Sequence, residues 1–484
     1  MRITQPWRDA PMKSSHNLAV EPTHAYAQLQ AFLAERSRSI EPVADVAQFE
    51  RDLRAILMAV HSETVAEEIA RFDVDVPVLN VEGIPHRRVV RCEQTYLSAA
   101  GPMRIMRSLY STREDGERAV CPMELRAGIV EGYWTPLAAQ QATWVVAHLT
   151  PQEGEDLFRR LGAMEPSKSS LDRLPKRLSE QWELGRKKFE ETLREQERVP
   201  ENAVTMAVSL DGVMLPMKDG DRQAKREKAA AEGKHQRGPA GCKEASCGTL
   251  SFYDREGNRV ATRRLARMPE HKKATLKSML MGEVNAALAE RPELQLVKVA
   301  DGAKDNWTYL ANELAPGIEV ADFYHVAEHL NAALGAAYGA TSPQCKAQFE
   351  KLRHILREDL DGAEKVIRAL VHLRDRHPRR KKIATELKYF RTNRGRMNYA
   401  ELKAKNLPIG SGVVEAACKT LVTQRMKRSG MRWREDGGQA ILTFRSLAQS
   451  ERFDRAWELL ASKFRAIVTL PNKVAAMRKR ALSV

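Results

Sequence analysis

Apolar residues recur at spacings of three and four in the first part of the chain: Leu29, Phe32 and Leu33, then Phe49, Leu53, Ile56, Leu57 and Val60. That period predicts helices across 24–72. The pattern then changes. RRVVRCEQTYL and MRIMRSLY read as strands on either side of Ala-Ala-Gly-Pro, a turn signal, so a small β-element is expected within 86–130. From Thr135 the helical period returns. One helix is expected over Leu137–Leu149 and a second from Pro151 to Leu161, with Glu153 and Glu155 in its first turn and Gly162 as its stop. EPSKSSLDRLPKRL then supplies a serine-rich cap and a short basic helix. Two helices, a glycine turn and a basic helix outline a helix-turn-helix DNA reader, and a generic helical bundle is the plain alternative. A charged helix over 180–200 ends at Pro200 and reads as a linker.

The next stretch alternates. Val204, Met206, Val208 and Leu210 predict a half-buried strand. Residues 218–243 are rich in Lys, Arg, Gly and Ala without an apolar pattern, which predicts a basic loop. GTLSFYD and NRVATRRLA around Glu256-Gly257-Asn258 read as a hairpin, followed by a helix near 271–290. LQLVKVADGA and GIEVADFYHV are two apolar strands with a helix between them at Asn306–Leu314. Nearly all of 324–406 reads helical. LPIGSG breaks the pattern at 407–412, a helix restarts at Val413 and runs to Met426, and helix continues to about 467 before the basic tail MRKRALSV. No internal repeat is evident.

Composition narrows the function. The 484 residues suit about three domains. The net charge is +16 and the sequence pI about 9.6, which points to a polyanionic partner, most often nucleic acid. Within 365–405, 14 Lys/Arg stand against three acidic residues. No run reaches the roughly 18 unbroken apolar residues of a membrane helix, and MRITQPWRDAPMKSSHN has no apolar core of a secretory signal. The expectation is a protein with no membrane partner in the cytoplasm. Six scattered cysteines without CxxC spacing predict free thiols in a reducing compartment. His235, Cys242 and Cys247 are an irregular set for zinc that lacks a fourth ligand.

Three predicted strands end in aspartate: Asp211 after AVSL, Asp301 after LVKVA and Asp322 after IEVA. Sites in α/β sheets gather at the carboxyl ends of strands, although a lone Asp there is commonly a turn former or helix cap. Converging carboxylates bind hard cations, and two such ions about 3.5–4 Å apart can activate a hydroxyl and stabilise the leaving oxygen of a phosphodiester. Glu415 follows Gly410-Ser411-Gly412, with Ser411 as candidate N-cap and apolar Val413, Val414, Ala416 and Ala417 around it. A buried, metal-bound or paired Glu415 is expected there, with a surface Glu415–Lys419 pair as the alternative. Arg425, Lys427, Arg428, Arg432 and Arg434 follow with no intervening acid and suit phosphate contacts, as do Lys381 and Lys382 in the basic helical stretch.

VSLDGV, VADGAKDNW, DFYHVAEHL and GSGVVEAACKTLVTQRMKRSGMRW together resemble DDE transposases of bacterial insertion sequences, most like the ISKra-type group of the Mutator-like superfamily. The resemblance spans roughly 135–465. It implies an α/β RNase H-like catalytic core with an all-α insertion, preceded by a mostly helical DNA-binding region with a small β-element. Together with the residue pattern of the N-terminal part, the expected boundaries are a helical N-terminal region at 1–85, the β-element at 86–134, a helix-turn-helix-like region and linker helix at 135–200, the core at 201–330 and 407–484, and the basic insertion at 331–406. The resemblance implies that Asp211, Asp301 and Glu415 are catalytic and hold two Mg²⁺ (or Mn²⁺) ions. Asp322 and His325, matching an Asp-x-x-His signature, are implied as an accessory pair. Asp322 as the second metal ligand, and zinc at His325 and His329, are rival assignments. The partners implied are the double-stranded DNA of terminal inverted repeats and target, bound by a homo-oligomer in the bacterial cytoplasm. Only Cys92 and Cys121 remain where relatives can carry cysteine pairs, and the first 80 residues match nothing in the pattern. A non-catalytic DNA-binding descendant and an RNase H-like nuclease without strand transfer are the competing functions. A tyrosine recombinase would leave the carboxylates without a role.

Overall fold

The computed structural model describes residues 24–112, 119–162, 164–218, 227–234 and 241–470. The expected basic tail, His235 and most of the expected basic loop lie outside them. The first two helices, α1 (His24–Arg38) and α2 (Val46–Ala70), pair through stacked Phe32 and Phe49, 5.4 Å apart. Asp45 caps α2 by accepting from the Gln48 amide at 3.1 Å. The expected β-element is a long hairpin: β2 (Ile84–Ser98) pairs antiparallel with β3 (Gly101–Ser111), turning at Ala99-Ala100 with Ser98 opposite Gly101. β1 (Val78–Val81) adds to its other side.

The helices α3 (Pro122–Ala127), α4 (Pro136–His148) and α5 (Pro151–Leu161) follow. Thr150 and Glu153 form a reciprocal capping box at the start of α5, and Gly162, at φ 61°, ends it in the left-handed conformation. The helix after it differs from expectation. In place of a short basic helix and a separate charged one there is a single α6 (Lys168–Gln196), with Pro175 inside it. Leu171, Leu174, Leu178, Trp182, Phe189 and Leu193 form one buried stripe along it. That burial outweighs the hydrogen bond lost at Pro175.

The second sheet holds β4 (Thr205–Pro216), β5 (Cys242–Tyr253), β6 (Arg259–Arg267), β7 (Gln295–Ala300) and β8 (Ile318–Ala321), in the order β6-β5-β4-β7-β8. β4, β5 and β6 are antiparallel neighbours, whereas β4–β7 and β7–β8 are parallel. Helices α7 (Ala274–Glu290) and α8 (Lys304–Asn312) make the parallel connections. β4 does not stop at Asp211. It continues to Pro216 because β5 starts at Cys242, inside the expected loop, and pairs with it there.

One face of this sheet packs on α7 and α8 through Met206, Val208, Leu250, Leu280, Val284 and Leu310. The other face packs on the helices that follow: α9 (Phe323–Tyr338), α10 (Pro343–Glu358), α11 (Gly362–Arg376), α12 (Lys381–Asn393) and α13 (Tyr399–Ala404). Val297, Val299 and Val320 share their core with Leu330, Leu356, Leu370, Leu387 and Phe390, so the helical insertion is built onto the sheet. α14 (Gly412–Ala417) continues as a π-helical turn, Cys418–Thr423. Then come α15 (Glu435–Gln449), α16 (Phe453–Ala461) and a short β9 (Val468–Thr469) that pairs with β1.

The third core joins α4, α5 and α6 to α14, α15 and α16. The region expected to read DNA at 135–200 is therefore fused to the C-terminal helices. A buried ion network fastens the joint: Arg452 reaches Glu283 at 2.7 Å and Glu197 at 2.5 Å, and Arg263 reaches the same two acids at 3.0 and 3.2 Å. Among the described residues no helix is long and apolar enough to cross a membrane. All six cysteines are free.

Candidate active site

Register brings the three aspartates into one row. β4 and β7 pair as far as Ser209 opposite Val299, so two residues on Asp211 and Asp301 stand at matching positions. β7 and β8 pair Ala300 with Ala321, so Asp322 stands next to Asp301. Neighbouring strands lie about 4.8 Å apart, and the row crosses the carboxyl ends of β7 and β8 and the middle of β4, just past its parallel pairing with β7.

The three carboxylates have different surroundings. Asp211 is half-buried, and its Oδ1 accepts from the Gly212 amide at 2.6 Å. Burial pushes its pKa up and the charge of Asp301 adds to the rise, against the Gly212 amide, Lys273 and Cys418. Asp301 Oδ1 accepts from the Ala303 amide at 3.2 Å and from Asn306 Nδ2 at 3.1 Å, which fixes the turn into α8. Asp322 is fully buried and both its oxygens are engaged. Oδ1 accepts from the His325 amide at 2.7 Å, capping α9, and Oδ2 accepts from the Ser411 amide. Asp322 thus ties the sheet to the turn where α14 begins. His325 gives Asp322 its main-chain N–H. Its ring is exposed and lies 3.8 Å from Glu328. His329, the other half of the zinc alternative, is 2.6 Å from Glu386 instead.

Glu415 departs from the expectation of burial. Val414, Ala417 and Cys418 face inward, which turns Glu415 and Ala416 outward at 100° per residue. Its Oε1 accepts from Ser411 Oγ at 3.2 Å, and no Glu415–Lys419 ion pair forms among the described residues. One turn on, the Cys418 thiol lies 3.8 Å from Asp211 Oδ2. The Ser411–Asp322 and Cys418–Asp211 contacts bring Glu415 to the carboxylate end of the sheet while its side chain stays on Ser411. Among the described residues no three His, Cys, Asp or Glu side chains lie close enough together to hold a metal ion. Asp211 and Asp301 do offer the oxygen-only, mutually repelling donor pair that suits a hard divalent ion.

A cavity of about 370 Å³ opens beside Asp211 and Asp301 and is walled by Glu244, Lys272, Lys273 and Lys277. Lys273 pairs with Glu244 at 2.8 Å. Lys272 and Lys273 both hold left-handed backbone conformations, φ 52° and 56°, a strain that concentrates at functional sites. Neither these lysines nor Cys418 stood out in the sequence, because their spacing carries no motif.

The basic residues expected on phosphate divide into two groups. Arg425 is buried, 1% exposed, and donates from Nη2 to the Val146 carbonyl at 3.3 Å. Burial pushes its pKa down to about 10. It is a core residue, which corrects the expectation of a phosphate contact. Arg428 is half-buried and holds Glu153 at 2.6 Å. Lys427, Arg432 and Arg434 are exposed, as are Lys381 and Lys382, although Lys382 pairs with Glu386 at 2.7 Å.

No family model matches the chain, and no curated protein does. Among solved structures, the Drosophila P element transposase strand transfer complex is similar at 11% identity, over 73% of this chain and 86% of that one, with a TM-score of 0.25.

Proposed function

We propose that this chain is a metal-dependent DNA transposase of the DDE type, cutting DNA at the ends of its element and joining them to a target. The observation that carries the reading is the register row that sets Asp301 and Asp322, at the ends of β7 and β8, level with Asp211 inside β4, in a sheet ordered β6-β5-β4-β7-β8. That order, with an antiparallel half and a parallel half, supports the reading of the sheet as an RNase H-like core. Asp211 and Asp301 would hold Mg²⁺ or Mn²⁺, with Glu415 swinging from Ser411 to complete the set. The ions, when bound, would supply charge neutralisation and an activated oxygen nucleophile. Lys272, Lys273 and Lys277 would hold a phosphate against the carboxylates. Lys427, Arg432, Arg434 and Lys381 would hold DNA backbone away from it, on a homo-oligomer in the cytoplasm.

The test is Mg²⁺-dependent cleavage and joining of a plasmid carrying the DNA that flanks this gene. Wild type should cut and join, while Asp211→Asn, Asp301→Asn and Glu415→Gln should bind the same DNA and do neither. The outward Glu415 favours a second reading, a DNA-binding protein that keeps the fold without the chemistry. Binding of the flanking DNA with no cleavage in either Mg²⁺ or Mn²⁺ would support it. Cleavage without joining would instead indicate a nuclease.

A further inference from the structure

The basic insertion sends one side chain to the carboxylate row. Tyr389, on α12, lies against the residue that follows Asp301: a Cβ on Gly302 would overlap its ring. On its other side the ring stacks on His329, with centroids 3.7 Å apart and planes 19° from parallel. His329 is itself held by Glu386 at 2.6 Å, and Glu386 by Lys382 at 2.7 Å. The Tyr389 ring is therefore clamped between α9 and the end of β7. Its hydroxyl is buried and has no hydrogen-bond partner among the described residues. The charges that act on it are those of Asp301, Asp322 and Glu386. Asp322 has both oxygens engaged and Glu386 has both in ion pairs. Asp301 Oδ2 alone of these oxygens has no donor among the described residues, since both bonds to Asp301 fall on Oδ1.

We infer that Tyr389 is a positioning residue for Asp301, its hydroxyl donating to the free carboxylate oxygen and fixing the other lone pairs toward the cavity. A buried donor left unpaired costs stability, so the partnerless hydroxyl of a ring packed on Gly302 is available to the Asp301 oxygen that has no donor. Hydrogen bonds to a ligating carboxylate orient it, and removing such a partner costs about 10–100-fold in metal affinity or activity. The inference rests on the metal-site reading above, and the lysine-rich cavity wall is independent of it.

The experiment uses the full chain and two readouts: binding of Mn²⁺ alone, followed by electron paramagnetic resonance, and Mg²⁺-dependent cleavage of the flanking-DNA plasmid. Tyr389→Phe keeps the ring and removes only the hydroxyl. It should weaken Mn²⁺ binding and slow the maximal cleavage rate about tenfold, with DNA affinity and melting temperature unchanged. Gly302→Ala, which displaces the ring, should shift both readouts in the same direction. Wild-type Mn²⁺ binding and cleavage in Tyr389→Phe overturn the inference. Asp301→Asn separates the two levels: if it loses both readouts while Tyr389→Phe loses neither, the tyrosine role alone fails. If Asp301→Asn also binds Mn²⁺ and cleaves normally, the carboxylate site itself is misassigned.

Discussion

Cys418 and Asp211 meet thiol to carboxylate across 3.8 Å although 207 residues separate them in the chain. The contact docks the helix carrying Glu415 onto the strand carrying Asp211, and it sits in a π-helical turn, an irregularity frequent at functional sites. Cys418→Val should keep the packing and lose the donor, lowering cleavage about tenfold, on the scale of a lost carboxylate partner. Cys418→Ser should recover most of the activity. Equal activity in the Val and Ser variants would assign the thiol to packing alone.

Asp322 should behave as a structural residue. Asp322→Ala leaves the His325 and Ser411 amides without their acceptor, at a cost of about 2–4 kcal/mol. The expected result is a lower denaturation midpoint together with reduced cleavage, because α14 loses its tie to the sheet. A variant of undiminished stability that cannot cleave would make Asp322 a metal ligand instead.

Glu283 is the acid at the centre of the ion network. Burial opposes its charge, but Arg452, Arg263 and Arg194 outweigh that and hold its pKa below the ordinary 4.5. Its unfolded-state pKa is the higher one, so its contribution is fully present above that value and is lost as pH falls through the folded pKa. Stability measured by denaturant titration should therefore drop on acidification below about pH 4. Glu283→Gln strands buried arginines and should cost about 3–5 kcal/mol at neutral pH, with a flatter acid limb.

DNA affinity should fall steeply with salt, and the exposed cations should carry that slope. Removing Lys427, Arg432 and Arg434 together should flatten the plot of log affinity against log salt by about 2–3, near 0.9 per phosphate contact. Arg425→Ala should leave the slope unchanged and lower the melting temperature, since its guanidinium serves the Val146 carbonyl. Fluorescence anisotropy over a salt series distinguishes the two.

Local pattern carried much of this molecule. Strand-like runs and a turn signal placed a β-element where the 84–111 hairpin lies, apolar runs placed β7 and β8, and Pro151, the first-turn acids and Gly162 placed the ends of α5, because each is decided within a few residues. The sequence also put aspartates at the carboxyl ends of β7 and β8. It failed where distant chain supplies the stabilising partner. β4 runs past Asp211 because β5 pairs with it, and α6 runs through Pro175 because its stripe is buried against α15 and its neighbours. The same holds for side-chain direction. Arg425 looked like its exposed neighbours, and Glu415 looked buried from its apolar flanks, but packing against α4 at Val146 turned the first inward and the docking of α14 turned the second outward. The alignment of Asp211 with Asp301 belongs to the sheet alone, since parallel pairing between segments 90 positions apart sets it and no spacing along the chain encodes it.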